Sequence, residues 1–233
     1  NTVCVDGISS YPVMKSNHSF DLLSCFPASA EPGKAFTSVT YSNLYFREPE
    51  SRADQTRMMS IVTTGAETGY YVDVFRSRKE KGGDKMHDYF YHNLGQTLTL
   101  TAADGSDLNL QPTEELAFAG AHLYAYSYLY DKKVAATNKD VKATFTIDMK
   151  DKDGDDIYMN LWMKGEPDRE VFTALAPMTE GLSRTPNMPY NIKEQPTLTF
   201  VARQHGEAWN RPFVSIYEPS TKKEPSAIQS VSY

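Results

Sequence analysis

Residues 86–93 read MHDYFYHN, placing two histidines, an aspartate and three aromatic rings within eight positions. His and Asp carry protons near neutral pH and bind metals, so this segment holds the ingredients of an acid/base or metal centre. The neighbouring run YVDVFRSR at 71–78 adds Asp73, with apolar residues on both faces of a strand around it. Burial there would demand a charged or hydrogen-bonded partner, for which Arg57, Arg76 and His87 are the candidates. Asp73, His87 and His92 are therefore the candidate catalytic group. Strand geometry works against them, because alternation puts His87, Tyr89 and Tyr91 on one face and Asp88, Phe90 and His92 on the other. A regular strand cannot bring both histidines to one ion. The competing reading is a satisfied polar network inside a sheet.

A second candidate lies in HLYAYSYLY at 122–130. As a strand it would align His122, Tyr124, Tyr126, Tyr128 and Tyr130 on one face. Aromatic rings stack on the apolar faces of sugars while their hydroxyls bond the substituents, so such a ladder would floor a saccharide groove. Tyrosines also pack well on a half-buried sheet, which is the bland alternative. Other chemistries find little support. The acidic turn DKDGDD puts Met149 and Asn160 where a calcium loop needs carboxylates. No G-x-S-x-G, phosphate-binding glycine loop or Cys/His zinc spacing occurs, and no metal site or cofactor is expected in this chain. Cys4 and Cys25 allow one disulfide or two buried thiols. The sequon Asn17-His18-Ser19 would matter only in a eukaryotic secretory pathway.

These side chains need elements to position them, and period-2 alternation dominates the chain. About a dozen strand-like runs, among them SFDLLSCF, QTRMMSIVTT, EVFTALAP and PTLTFVARQ, are separated by short polar turns. The pattern predicts an all-β fold, a large two-layer antiparallel β-sandwich with almost no helix. It is read as one domain over 1–233, with a minor subdivision near 102–120. TEELAF is the only helix candidate, a single turn capped by Thr113. Asp153-Gly154 and Gly82-Gly83 mark hairpin tips, the latter with Arg76, Arg78, Lys79, Lys81 and Lys85 around it. That basic tip reads first as a solvated loop. A net charge of −6 argues against nucleic acid as a partner, although it leaves room for a local basic patch. No apolar run approaches the ~20 residues that a membrane-spanning helix needs. Opening on Asn1, the sequence reads as a processed protein or as a piece of a longer one.

NTVCVDG at 1–7, YVDVFRSR and HDYFYHNLG within 71–95, and RPFVSIYEP at 211–219 resemble the C-terminal half of heparinase II/III-like polysaccharide lyases. The resemblance extends over most of the chain. It implies β-sandwich domains that follow a helical toroid, and β-elimination of polysaccharides containing uronic acid. In that family the catalytic Tyr, His, Arg and Glu come largely from the toroid and its junction with the sheets. The zinc ligands of the family lie upstream of the matching region. No family active-site residue carries onto a numbered position here, and zinc would belong to the full-length parent. The implied role is a non-catalytic portion of a bacterial periplasmic or secreted lyase. It would support the toroid and line a groove for an acidic polysaccharide, with the upstream domains of its own chain as partners. The alternatives are a self-contained carbohydrate-binding module using the tyrosine ladder, and an enzyme using Asp73, His87 and His92.

Overall fold

Alternating sequence becomes strand along most of the chain. A computed structural model describes residues 2–8, 20–27, 39–117, 126–149, 154–179 and 195–233. They build two antiparallel sheets stacked as a sandwich, with no helix among the described residues. The six-stranded sheet runs β1 (Thr2–Val5), β6 (Met86–Asn93), β13 (Thr197–His205), β12 (Arg169–Ala176), β9 (Tyr130–Thr137), β8 (Gln111–Pro112). The eight-stranded sheet runs β2 (Asp21–Phe26), β3 (Val39–Glu48), β4 (Ala53–Thr63), β5 (Gly69–Lys79), β14 (Ala208–Ser220), β11 (Ile157–Met163), β10 (Val141–Ile147), β7 (Thr97–Ala102).

Alternation decides which residues meet between the sheets. Tyr89, Tyr91, Val171, Phe200 and Ala202 from one sheet face Phe75, Phe145, Leu161, Phe213 and Tyr217 from the other. Their rings interlock, with Tyr91 stacked on Tyr217 at 4.8 Å and edge-on to Phe145 at 5.3 Å. The even positions of β6 point the other way. Phe90 joins Cys4, Phe172 and Val201 in a smaller core, capped by Leu116, Tyr126 and Leu129 from a covering segment. Strands β6 and β13 are thus buried on both faces, and the polar residues they carry there, among them Asp88 and Arg203, are paired with one another.

The structure departs from the sequence reading in three places. TEELAF forms no helical turn over its described residues. Thr113 does accept a bond from the Glu115 N–H, but Leu116 adopts a φ of 56° and plunges into the smaller core. One helical turn is costly to nucleate, and burying a leucine outweighs it. Of the strand expected over 122–130, residues 122–125 lie outside the described residues, 126–128 form a turn closed by the Leu129 N–H on the Tyr126 carbonyl at 3.1 Å, and strand follows from Tyr130. Strand β9 therefore occupies YDKKVAAT, whose paired lysines hide its alternation. The third place is the Gly82-Gly83 tip: both glycines take positive φ values, 68° and 75°, which glycine tolerates without strain, but β5 and β6 belong to different sheets, so the connection crosses between the layers and is not a hairpin. Of the Asp153-Gly154 pair, Asp153 lies outside the described residues. Cys4 and Cys25 stand in different sheets and form no disulfide.

Because Phe200 is fully buried at the centre of the inter-sheet core, Phe200→Ala is expected to cost about 3–5 kcal/mol. Tyr128→Ala, at an exposed turn, should stay within about 0.5 kcal/mol. Urea unfolding of both variants checks the pair, and comparable losses would contradict this core.

Candidate functional site

Inward-facing residues of the eight-stranded sheet line up in rows across it. One row runs Thr40, Ile61, Tyr71, Tyr217, Leu161, and the next runs Ser42, Met59, Asp73, Ser215, Met163. Exposure changes sharply along them. In the first row Leu161 and Tyr217 are 0% and 5% exposed, whereas Tyr71 and Ile61 are 40% and 49% exposed. In the second, Asp73 is fully buried beside a Met59 that is 41% exposed. The six-stranded sheet thus covers only part of its partner: it leaves the inner face open at the Thr40–Ile61–Tyr71 end of β3–β5, while Gln55, Phe75 and Ser77 further along the same strands stay buried. Thr40, Ser42, Met59, Ile61 and Tyr71 line a depression of about 270 Å3 there. It combines an aromatic ring, two apolar side chains and two hydroxyls.

A polar seam forms the back wall of this shelf. Arg57 grips Asp73 with two bonds, Nε to Oδ1 at 3.0 Å and Nη2 to Oδ2 at 2.7 Å. Tyr89, reaching across from the six-stranded sheet, donates to Oδ2 at 2.7 Å, and Tyr217 donates to the same oxygen at 3.3 Å. Burial pulls the Arg57 pKa down, but the Asp73 carboxylate more than reverses it, and the net shift is upward. Burial, reinforced by Asp73, drives the Tyr89 phenol well above its ordinary range. Asp73 is therefore a saturated acceptor, and Tyr89 is locked as a donor. The seam can orient neighbours, but it offers no poised base.

The other candidate residues are dispersed. His87 faces inward as alternation requires, but its Nε2 pairs with Asp84 at 2.8 Å, in the connection that carries the chain from β5 in one sheet to β6 in the other. His92 points outward, 2.8 Å from the Thr199 hydroxyl and stacked over Phe90 at 6.0 Å. Asp73, His87 and His92 are not assembled into one group, because the sheet itself separates the two histidines. The tyrosine ladder is also broken. Tyr126 is buried and donates to Asp88 at 2.8 Å, an aspartate already held by Arg203 through Nε at 2.7 Å and Nη2 at 2.9 Å. It pins the covering segment to the sheet and is not open to solvent. Tyr128 and Tyr130 are exposed, while His122 and Tyr124 lie outside the described residues. The shelf residues Thr40, Ser42, Met59 and Ile61 were missed from sequence. They look like ordinary inward positions, and only the unequal coverage of the two sheets exposes them.

No family model matches the sequence. Over 196 residues the chain is 33% identical to an endo-acting ulvan lyase from Formosa agariphila, which covers 82% of this chain and 22% of that protein. The chain thus spans about a fifth of the relative's length. Along most of its own length it is related to a polysaccharide lyase.

Removing Asp73 strands a largely enclosed guanidinium and two phenols. Asp73→Ala is expected to cost about 3–5 kcal/mol, whereas Ser42→Ala on the open shelf should cost less than about 0.5 kcal/mol. Denaturant midpoints distinguish them, and equal values would contradict the seam. The His87 imidazole gives a pH signature. Burial lowers its pKa below the ordinary histidine value of about 6.5, with Asp84 opposing only in part. As pH falls from about 6.5 toward the lower folded value, the unfolded chain takes up a proton that the fold resists, so stability declines. His87→Gln should flatten that part of the decline between pH 7 and 5. An unchanged slope would contradict the assignment.

Proposed function

We propose that this chain is the β-sandwich portion of a heparinase II/III-like polysaccharide lyase, itself non-catalytic, with the open shelf lining a groove for an acidic polysaccharide. The relationship to the ulvan lyase carries the reading, since it spans most of the chain and names a polymer-cleaving enzyme. The shelf is consistent with it. Tyr71 presents a ring, Met59 and Ile61 present apolar surface, and Thr40 and Ser42 present hydroxyls, which together suit the mixed faces of a sugar.

Elimination needs a base at the acidic C–H and charge neutralisation at the adjoining carboxylate, held in one geometry. Asp73 is consumed by Arg57 and two phenols, and the histidines are engaged elsewhere, so the chemistry is assigned to parts of the whole protein outside this chain. In this reading the zinc of the resembled family also belongs to other parts of the whole protein. No three His, Cys, Asp or Glu side chains converge among the described residues, and any such ion would be held by ligands elsewhere. A polymer substrate goes with a bacterial periplasmic or secreted location. A self-contained binding module built on the tyrosine ladder has less support, because Tyr126 is turned inward to Asp88.

The test exchanges the corresponding segment of the ulvan lyase for this chain and follows the new double bond in the product. The chimera is expected to cleave, the isolated chain to be inert, and Tyr71→Ala in the chimera to raise KM severalfold with little change in kcat. Unsaturated product from the isolated chain at enzyme-like rates would overturn the reading.

A further inference from the structure

The outward face of β5 carries a feature that the shelf does not explain. Val72, Val74, Arg76 and Arg78 alternate with the inward residues, so the two arginines stand on the opposite side of the sheet from Tyr71. Both guanidiniums are held in place by β14. Arg78 lies over the Trp209 ring at 4.2 Å, and Arg76 donates to the Trp209 carbonyl while its second amino group contacts the Tyr233 hydroxyl. Among the described residues no carboxylate pairs with either. Asp54, opposite Arg78 on β4, accepts from Tyr45, and Glu80 is taken by Arg47.

In a chain with a net charge of −6, two adjacent cations without an acidic partner are conspicuous. The groups that hold them are neutral, an indole face, a peptide carbonyl and a phenol, and the one carboxylate across from Arg78, Asp54, is turned to Tyr45. An aromatic ring under a guanidinium fixes its plane without using its N–H groups. Arg78, stacked on the ring, then presents a planar fork of donors matched to an anion with two oxygens, while Arg76, which already gives an N–H from each amino group to the Trp209 carbonyl and the Tyr233 hydroxyl, adds its charge and its remaining N–H groups beside it. A two-residue step along a strand separates the two arginines by roughly 6.6 Å, close enough for neighbouring anionic groups of one polymer.

We propose that Arg76, Arg78 and Trp209 form a second anion-recognition subsite, which binds the carboxylate or sulfate groups of an acidic polysaccharide on the outer face of the eight-stranded sheet. It shares the substrate class of the function proposed above but not the shelf, and each site can fail without the other.

The test measures binding of the whole chain to polygalacturonate, dextran sulfate and neutral dextran at low and high salt. Arg76→Gln with Arg78→Gln should lower affinity for at least one of the charged polymers by about tenfold or more, with an unchanged melting temperature. Which polymer responds distinguishes carboxylate from sulfate recognition. Arg78→Lys keeps the charge but loses the fork, and should recover only part of the affinity. Tyr71→Ala reports separately on the shelf: loss there with none in the arginine variants overturns this inference and leaves the functional reading standing. Equal binding of neutral dextran, or salt-independent binding, also overturns it.

Discussion

The hydrogen bond from Tyr89 to Asp73 ties one sheet of this protein to the other at the line where coverage ends. A carboxylate with no solvent exposure is tolerable only when its oxygens are fully engaged, and Arg57, Tyr89 and Tyr217 supply that engagement. The consequence is directional. On the β14 side of Asp73 the inward rows disappear under the six-stranded sheet. On the β4 side they emerge as a shelf of Met59, Ile61 and Tyr71. Loss of the seam would blur this boundary, leaving the Gln55 amide on the Val3 carbonyl as a neighbouring polar tie between the two layers.

The eight-stranded sheet thereby presents two unlike surfaces. Its inner half-face is apolar and hydroxyl-bearing, suited to the faces of sugar rings, whereas its outer face carries guanidiniums oriented by an indole and a peptide carbonyl. Neither surface holds a poised acid/base pair. That division fits a lyase in which one part of the chain grips a charged polymer and another part breaks it. The buried clusters serve the scaffold instead. Asp88, Arg203 and Tyr126 fasten a covering segment to the six-stranded sheet, and Asp84 with His87 secures the connection that crosses from one sheet to the other.

The two-sheet architecture was legible because strand alternation is a local signal. The opposing faces of MHDYFYHN, with Tyr89 and Tyr91 inward and Phe90 outward, follow from the pleat alone. The need of Asp73 for a charged or hydrogen-bonded partner was legible too, since the carboxylate sits among apolar neighbours on an interior strand, but the sequence offered Arg76 and His87 beside Arg57 and only the register decides for Arg57. The tyrosine run misled because its alternation matches a strand while its backbone turns at 126–128, and no residue type there announces the turn. The shelf could not be read at all. Whether Met59 meets water depends on how far a second sheet, assembled from strands distant in sequence, reaches across the first.

The account rests on the inner face of β3–β5 being the open, saccharide-facing side of the sandwich. Methionine-methyl NMR reports on it directly, because Met59 lies on the shelf and Met163 lies in the same row beneath the covering sheet. Titration with acidic oligosaccharide should shift and broaden the Met59 methyl signal while leaving Met163 in place. Binding that moves neither methyl, or that moves Met163 without Met59, would contradict the account.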